Sequence, residues 1–224
     1  AYHSLDVAAV GAAWWAADTG LRTRMASLLG LAMDEARALM LWLLAVHDLG
    51  KFAGSFQALS EPGARAVDAR LPARQVRGTR HDSWSVEFGA RILLPDTPDA
   101  TMLLFEAVAS HHGRPAAVQT VPGRGYDESD LEAATAFVAA CGPALGLDGD
   151  AGKAFEDIER AQRATWLVVG FAVVCDWIGS NTRWFPYELA PMALDAYWRY
   201  VALPRARAAI DAAGIVPARF ASGD

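Results

Sequence analysis

Lysine is nearly missing from this chain: of twenty basic residues, only Lys51 and Lys153 are lysines, and the rest are arginines. Cysteine is as scarce. Cys141 and Cys175 are too few for a disulfide framework and lack the Cys-x-x-Cys spacing of zinc or redox motifs, so both read as buried thiols in a reducing compartment, and a cytoplasmic location is expected. There is no long hydrophobic run of membrane length. The most apolar stretch, Ala164 to Cys175, is cut by Asp176 well short of the roughly 18 residues a span requires, so no membrane partner is expected. No basic region followed by an apolar one opens the chain, and no initiating Met stands at its head, so the start reads as trimmed. Alternating Val/Ile/Thr segments with hairpin dipeptides are missing too, which excludes a β architecture.

What remains is helical pattern. With 53% apolar and 21% charged residues the chain has the composition of a globular protein, and its 224 residues suit one domain or a domain with an appendage. His3, Val7, Val10 and Trp14 share one face of a first helix, with Gly20 as its stop. Asp34 to Asp48 is apolar all round, which predicts a central helix covered on every side and ended by His47, Asp48 and Gly50. Further helices are expected from about Asp82 to Pro95, and from about Asp99 to His111-His112-Gly113. Ser129-Asp130-Leu131-Glu132 fits a capping box opening a helix that stops at Gly142-Pro143. A long helix spans about Phe155 to Ile178, and Pro204 should kink or break the last pattern, 191–213. The fold class is all-α, with loops near 61–80 and 113–127.

Histidine is also scarce, and all five sit in short polar clusters: His3, His47-Asp48, His81 and His111-His112. Asp176 adds a carboxylate at the end of an apolar stretch, where an unpaired charge would be costly to bury. Singly, each has an ordinary reading. A lone histidine on an apolar helix is usually a packed core residue, a lone loop histidine is solvated, and a His-His pair before glycine suits a helix C-terminus. Together they supply five imidazoles and two carboxylates, roughly what two transition-metal ions need when each keeps an open position. Consecutive helical residues point about 100° apart, so His47 and Asp48 address neighbouring ions more easily than they grip one. Asp48 is then the natural bridge between two cations roughly 3.5–4 Å apart, a spacing that suits phosphodiester hydrolysis.

The ordered motifs Tyr2-His3-Ser4-Leu5-Asp6-Val7, His47-Asp48-Leu49-Gly50-Lys51, Arg80-His81, Ser110-His111-His112-Gly113 and Asp176-Trp177-Ile178-Gly179-Ser180-Asn181 resemble the HD superfamily of metal-dependent phosphohydrolases. More narrowly, they resemble the HD nuclease domain of the CRISPR-associated helicase-nuclease of type I systems. That resemblance implies an HD-domain helical bundle with a metal site at its centre. It also implies that residues 1–187 form the nuclease domain and 188–224 a helical segment leading toward a helicase. His3, His47, Asp48 and Asp176 would hold one metal, and Asp48, His81, His111 and His112 the other. Asp48 and Lys51 would carry the catalysis, Lys51 by reaching a phosphate oxygen or positioning water. Ser180 and Asn181 would line the path of single-stranded DNA. Cys175 stands where the family pattern often has Ala, and a thiol fits that space.

By the same resemblance the activity is cleavage of the DNA strand displaced by a guide-RNA surveillance complex, with a helicase module in cis or trans. The chain has no Gly-x-x-x-x-Gly-Lys-Ser/Thr stretch and cannot power translocation itself. Nitrogen-rich ligation favours Fe, Mn, Co or Ni over Mg. The net charge of −6 speaks against broad phosphate binding. Arg65, Arg70, Arg74, Arg77 and Arg80 nonetheless crowd beside His81, and form either a DNA-facing rim or an ordinary solvated loop. Trp14, Trp15, Trp42, Trp84 and Trp166 read as core, whereas Trp177 and Trp184 stay open as stacking platforms. The alternative function is an HD phosphohydrolase of small nucleotides, such as a cyclic dinucleotide phosphodiesterase. A third is an idle HD module that only docks a partner.

Overall fold

A computed structural model describes residues 1–59, 65, 80–112, 125–147, 155–188 and 190–215. Among them there is helix and no strand. The longer helices are α1 (Tyr2–Ala17), α2 (Thr19–Leu29), α3 (Met33–Val46), α4 (His81–Ile92), α5 (Asp99–Ala109), α6 (Glu128–Leu145), α7 (Ile158–Gly179) and α8 (Leu203–Ala213). A 3₁₀ turn over Leu49–Phe52 and a helical turn over Gly54–Gln57 follow α3. No helix among the described residues is long and apolar enough to cross a membrane.

The central helix is α3. Its residues from Ala38 to Val46 are all buried, as a stretch without a polar face requires. Each fully buried Leu, Met or Val there contributes about 1.5–3 kcal/mol relative to exposure. The Glu35 carboxylate accepts the Ala32 backbone N–H at 2.9 Å and anchors the start of α3. Around it, α1 packs on α3, α7 and α8, and α5 packs along α7. One hydrophobic core joins these helices.

Several boundaries differ from the sequence reading. The first helix ends at Ala17, not at Gly20. Asp18 closes it and opens α2, its carboxylate accepting the Leu21 N–H at 2.9 Å, and Gly20 lies inside the new first turn. The capping box of α6 is Asp127 with Asp130, two residues ahead of Ser129 with Glu132. That helix runs through Pro143 to Leu145, because Gly146 in the left-handed conformation supplies the actual stop. The long helix begins at Ile158, capped by the Asp157 carboxylate. Pro204 does break the regular pattern, and the break precedes it: Trp198–Ala202 winds as a π-helix before α8 starts.

Trp15, Trp42 and Trp84 are core residues and Trp14 is half-buried. Trp166, in contrast, is 86% exposed. Trp166 lies in the uncharged run 164–175 of α7, and such a run gives no phase from which to tell its covered face from its bare one.

Candidate metal centre

The seven metal-ligand candidates converge at one place. His3 comes from the first turn of α1, His47 and Asp48 from the end of α3, His81 from the start of α4, His111 and His112 from the turn after α5, and Asp176 from the last turns of α7. His47 and Asp48 are fully buried and His111 nearly so, while His3, His81 and Lys51 are half-buried and His112 is exposed, which marks the open side.

Two glycines set this convergence. A Cβ on Gly50 would lie 1.9 Å from the His81 carbonyl oxygen and 2.5 Å from the Ser85 nitrogen, so only glycine lets α4 begin against the His-Asp turn. Ser85 then accepts the Gly50 N–H at 2.9 Å and donates to the His81 carbonyl at 3.1 Å, tying the two segments together. A Cβ on Gly179 would lie 2.9–3.0 Å from Val7, so α7 and α1 approach backbone to side chain and bring Asp176 to His3.

The donors form two groups, His3 with His47, Asp48 and Asp176, and His81 with His111 and His112. In the first, His3 Nε2 lies 3.1 Å from Asp48 Oδ2 and 3.3 Å from Asp176 Oδ1, and His47 Nε2 lies 3.2 and 3.6 Å from the same two oxygens. Donor atoms bound about 2.0–2.2 Å from a common ion sit roughly 3.0–3.6 Å from one another, so these are the edges of a coordination polyhedron. In the second group His81 Nε2 and His112 Nε2 are 2.9 Å apart. Asp48 faces both groups: its Oδ2 points at the first, and its Oδ1 lies 3.4 Å from His81 Nε2 and 3.9 Å from His111 Nε2.

One device aims two of the rings. His47 Nδ1 donates to the Leu44 carbonyl at 2.6 Å and His111 Nδ1 to the Val108 carbonyl at 2.9 Å, each three residues back, which turns each Nε2 toward the centre. His47 Nε2, Asp48 Oδ1 and His111 Nε2 are buried and make no hydrogen bond. Buried polar atoms are nearly always satisfied, and a cation is what these three lack. The residues therefore fit divalent metal, with imidazole and carboxylate donors suited to first-row transition ions.

Electrostatics agree. Burial alone would raise the Asp48 carboxyl, but His47, His3 and Lys51 outweigh it and hold it well below the usual carboxylate range. Asp176 is likewise held low against its burial by His3 and His47. Burial opposes a charge on His47 too, yet Asp48 and Asp176 raise it to about 9. His81 and His111 are lowered to about 4, chiefly by burial, and so are neutral donors at pH 7.

Among the remaining expected site residues, Lys51 Nζ pairs with Asp48 Oδ2 at 2.5 Å. Ser180 donates to Asp176 Oδ1 at 3.1 Å, and exposed Asn181 accepts the Arg183 N–H. Arg80 pairs with the adjacent Asp82. Arg65 is exposed, and Arg70, Arg74 and Arg77 lie outside the described residues. Trp177 is 72% exposed beside Asp176, and Trp184 is half-buried. Cys141 and Cys175 are buried thiols. The sequence reading passes over Ser85, although its i+4 spacing from His81 puts it on the same face of α4.

A bundle of helices closed around a buried His-Asp pair, with further histidines meeting it from separate elements, is the arrangement of an HD domain. The family description Cas3, HD domain, matches residues 1–185. The CRISPR-associated endonuclease/helicase Cas3 of Escherichia coli (strain K12) is 26% identical over 237 residues, covering 89% of this chain and 26% of that protein. A crystal structure of a CRISPR-associated protein superimposes with a TM-score of 0.80 at 25% identity, over 100% of this chain and 26% of the other. The Cas3 HD domain of Thermus thermophilus, crystallised in the presence of Ni2+, has a TM-score of 0.68 at 25% identity, over 95% of this chain and 84% of that one. The chain belongs to the Cas3 HD-domain family. It spans about a quarter of the length of the Escherichia coli relative.

Proposed function

We propose that this chain is a metal-dependent nuclease that hydrolyses phosphodiester bonds of single-stranded DNA, acting in the cytoplasm on the strand displaced in type I CRISPR interference. The observation that carries this reading is the division of Asp48, one oxygen toward each donor group. His3, His47, Asp48 and Asp176 would hold one divalent ion and Asp48, His81, His111 and His112 a second, with Fe, Mn, Co or Ni preferred over Mg. Such a pair, when bound, supplies Lewis-acid polarisation of the phosphate and a nucleophile at neutral pH.

The chain's own groups do the rest. Asp48 neutralises charge at the centre, and Asp176 is oriented by the Ser180 hydroxyl. Lys51, half-buried and paired with Asp48, would meet a phosphate oxygen once Asp48 is otherwise engaged. Ser180, bonded to Asp176, and exposed Asn181 beside it would line the DNA path. Arg65, Arg70, Arg74, Arg77 and Arg80 are proposed to add charge along that path. The printed name of the Escherichia coli relative supports a helicase module working with this domain, in cis or trans, and a guide-RNA surveillance complex would recruit it. Residues 1–187 would be the nuclease domain and 188–224 the segment leading toward that helicase.

Circular single-stranded DNA tests the reading. Chain reconstituted with Mn, Co, Ni, Fe or Mg in parallel should open and degrade the circle, and Asp48→Ala should not. Turnover of a cyclic dinucleotide in place of the circle would keep the HD fold and overturn the substrate.

A further inference from the structure

His3 occupies a first turn without a side-chain cap. It is the second residue of α1, whose N-cap position is Ala1, with no side-chain acceptor and no acidic residue in the first turn. First turns leave backbone N–H groups without intrahelical partners and fray unless something else holds them. A metal ligand cannot sit on a fraying turn without losing affinity, because binding the ion must then also order the turn.

The restraint comes from far along the chain. Tyr197, on the turn over Leu194–Tyr197, is 1% exposed and touches the residues on both sides of His3. Its hydroxyl donates to Asp6 Oδ1 at 2.8 Å, and its ring stacks on Tyr2 with centroids 4.1 Å apart and planes 14° from parallel. Tyr2 in turn accepts the Met192 N–H and donates to the Met192 carbonyl at 3.0 Å. Tyr2 and Asp6 flank His3 by one residue and by one turn, so the first turn of α1 is held at two points by residues 192–197. Arg205 extends the anchor, reaching Glu188 at 3.6 Å and the Pro186 carbonyl at 3.3 Å.

We propose that residues 190–197 are a clamp that positions His3, with Tyr197 and Tyr2 as positioning residues for one of the two metals only. The second group, His81, His111 and His112, is built on α4 and on the turn after α5, and the clamp does not touch it. The inference rests on the metal reading given above, and extends it by making half of the centre depend on a C-terminal segment that supplies no ligand.

The test is site-selective metal binding. Metal-stripped chain is titrated with Co2+ alone, and bound cobalt is counted per chain at each concentration for four proteins: wild type, His3→Ala, the double variant Tyr2→Phe/Tyr197→Phe, and Tyr200→Phe. The double variant keeps both rings and their buried area, and removes only the hydroxyl bonds. Tyr200, 75% exposed and just beyond the clamp in the π-helix over Trp198–Ala202, serves as the control. Two binding steps are expected for wild type and Tyr200→Phe. His3→Ala should lose one step. The double variant should keep both, with one weakened roughly tenfold, the lower end of what a mispositioned ligand costs, and the other unchanged. Loss of a step in His3→Ala with a wild-type isotherm for the double variant would overturn the clamp and leave the metal reading intact. Equal weakening of both steps would show general loosening, and also overturn it. Two undisturbed steps in His3→Ala would overturn the metal reading itself, and the clamp with it.

Discussion

His81 Nε2 and His112 Nε2 face each other at 2.9 Å with their rings nearly perpendicular. Two lone pairs cannot share that distance without a proton or a cation between them. Burial keeps His81 and its neighbour His111 neutral down to about pH 4, whereas His47 in the other group holds its proton to about pH 9. His47 on the one side, and His81 and His111 on the other, therefore start from opposite protonation states at pH 7.

Unequal proton release follows. His47, with its raised value, stabilises the metal-free fold fully below its unfolded value of about 6.5, and that contribution is lost as pH rises through about 9. Metal must displace this proton. Calorimetric titration at pH 7 in buffers of different ionisation enthalpy should show nearly one proton released by the step that uses His47. The affinity of that step should rise about tenfold per pH unit up to about pH 9. His81 and His111, lowered to about 4, should release almost no proton at pH 7. Equal release in both steps would contradict this assignment.

Asp48→Ala should remove metal from both groups and abolish cleavage of circular single-stranded DNA. Its two oxygens are divided between the groups, so truncation takes a donor from each and leaves Asp176 as the remaining carboxylate facing His47 and His111. Loss of a single metal, counted by elemental analysis, would show that Asp48 belongs to one group only.

Gly50→Ala should be far more damaging than a methyl group usually is. The added carbon would meet the His81 carbonyl at 1.9 Å, and backbone cannot step aside as a flexible side chain does. A loss of about 2 kcal/mol or more in denaturant unfolding is expected, together with selective loss of the His81-side metal. Gly170→Ala is the control, since nothing lies within 4 Å of its added carbon.

Asp6→Asn should stabilise the chain at pH 8. Burial is the main reason the Asp6 carboxyl rises to about 7, with the Tyr197 hydroxyl opposing it. A carboxyl with a raised folded value favours the fold at low pH and loses that advantage as pH climbs from about 4 to about 7. Asparagine keeps an oxygen for Tyr197 and removes the charge. A gain on the order of 1–3 kcal/mol at pH 8, shrinking toward pH 4, is expected from thermal or denaturant melts. No gain at pH 8 would mean that Asp6 is ionised without cost.

Much of this site is legible in the amino-acid sequence. His47-Asp48 ends a helix apolar on all sides, and such a helix has one place to go, the middle of the bundle. The histidines converge because burying isolated imidazoles and carboxylates is unfavourable unless they meet. What a linear pattern cannot reveal is whatever depends on a second element. Asp127 with Asp130 and Ser129 with Glu132 both satisfy the local rule for a helix start, and the register is decided by Asp130 also accepting the Gly54 N–H, 76 residues away. Trp166 reads as core because α7 is apolar around much of its circumference, and only the packing of its neighbours leaves that side bare. Tyr197 carries no local signal, since its partners Tyr2 and Asp6 lie at the far side of the sequence.

That the first donor group draws on early and late parts of the sequence has a consequence for biosynthesis. A chain still on the ribosome displays His3, His47 and Asp48 well before Asp176 emerges, and the residues that steady His3 emerge later still. Half-made chains and fragments that stop short of Asp176 thus cannot complete the centre.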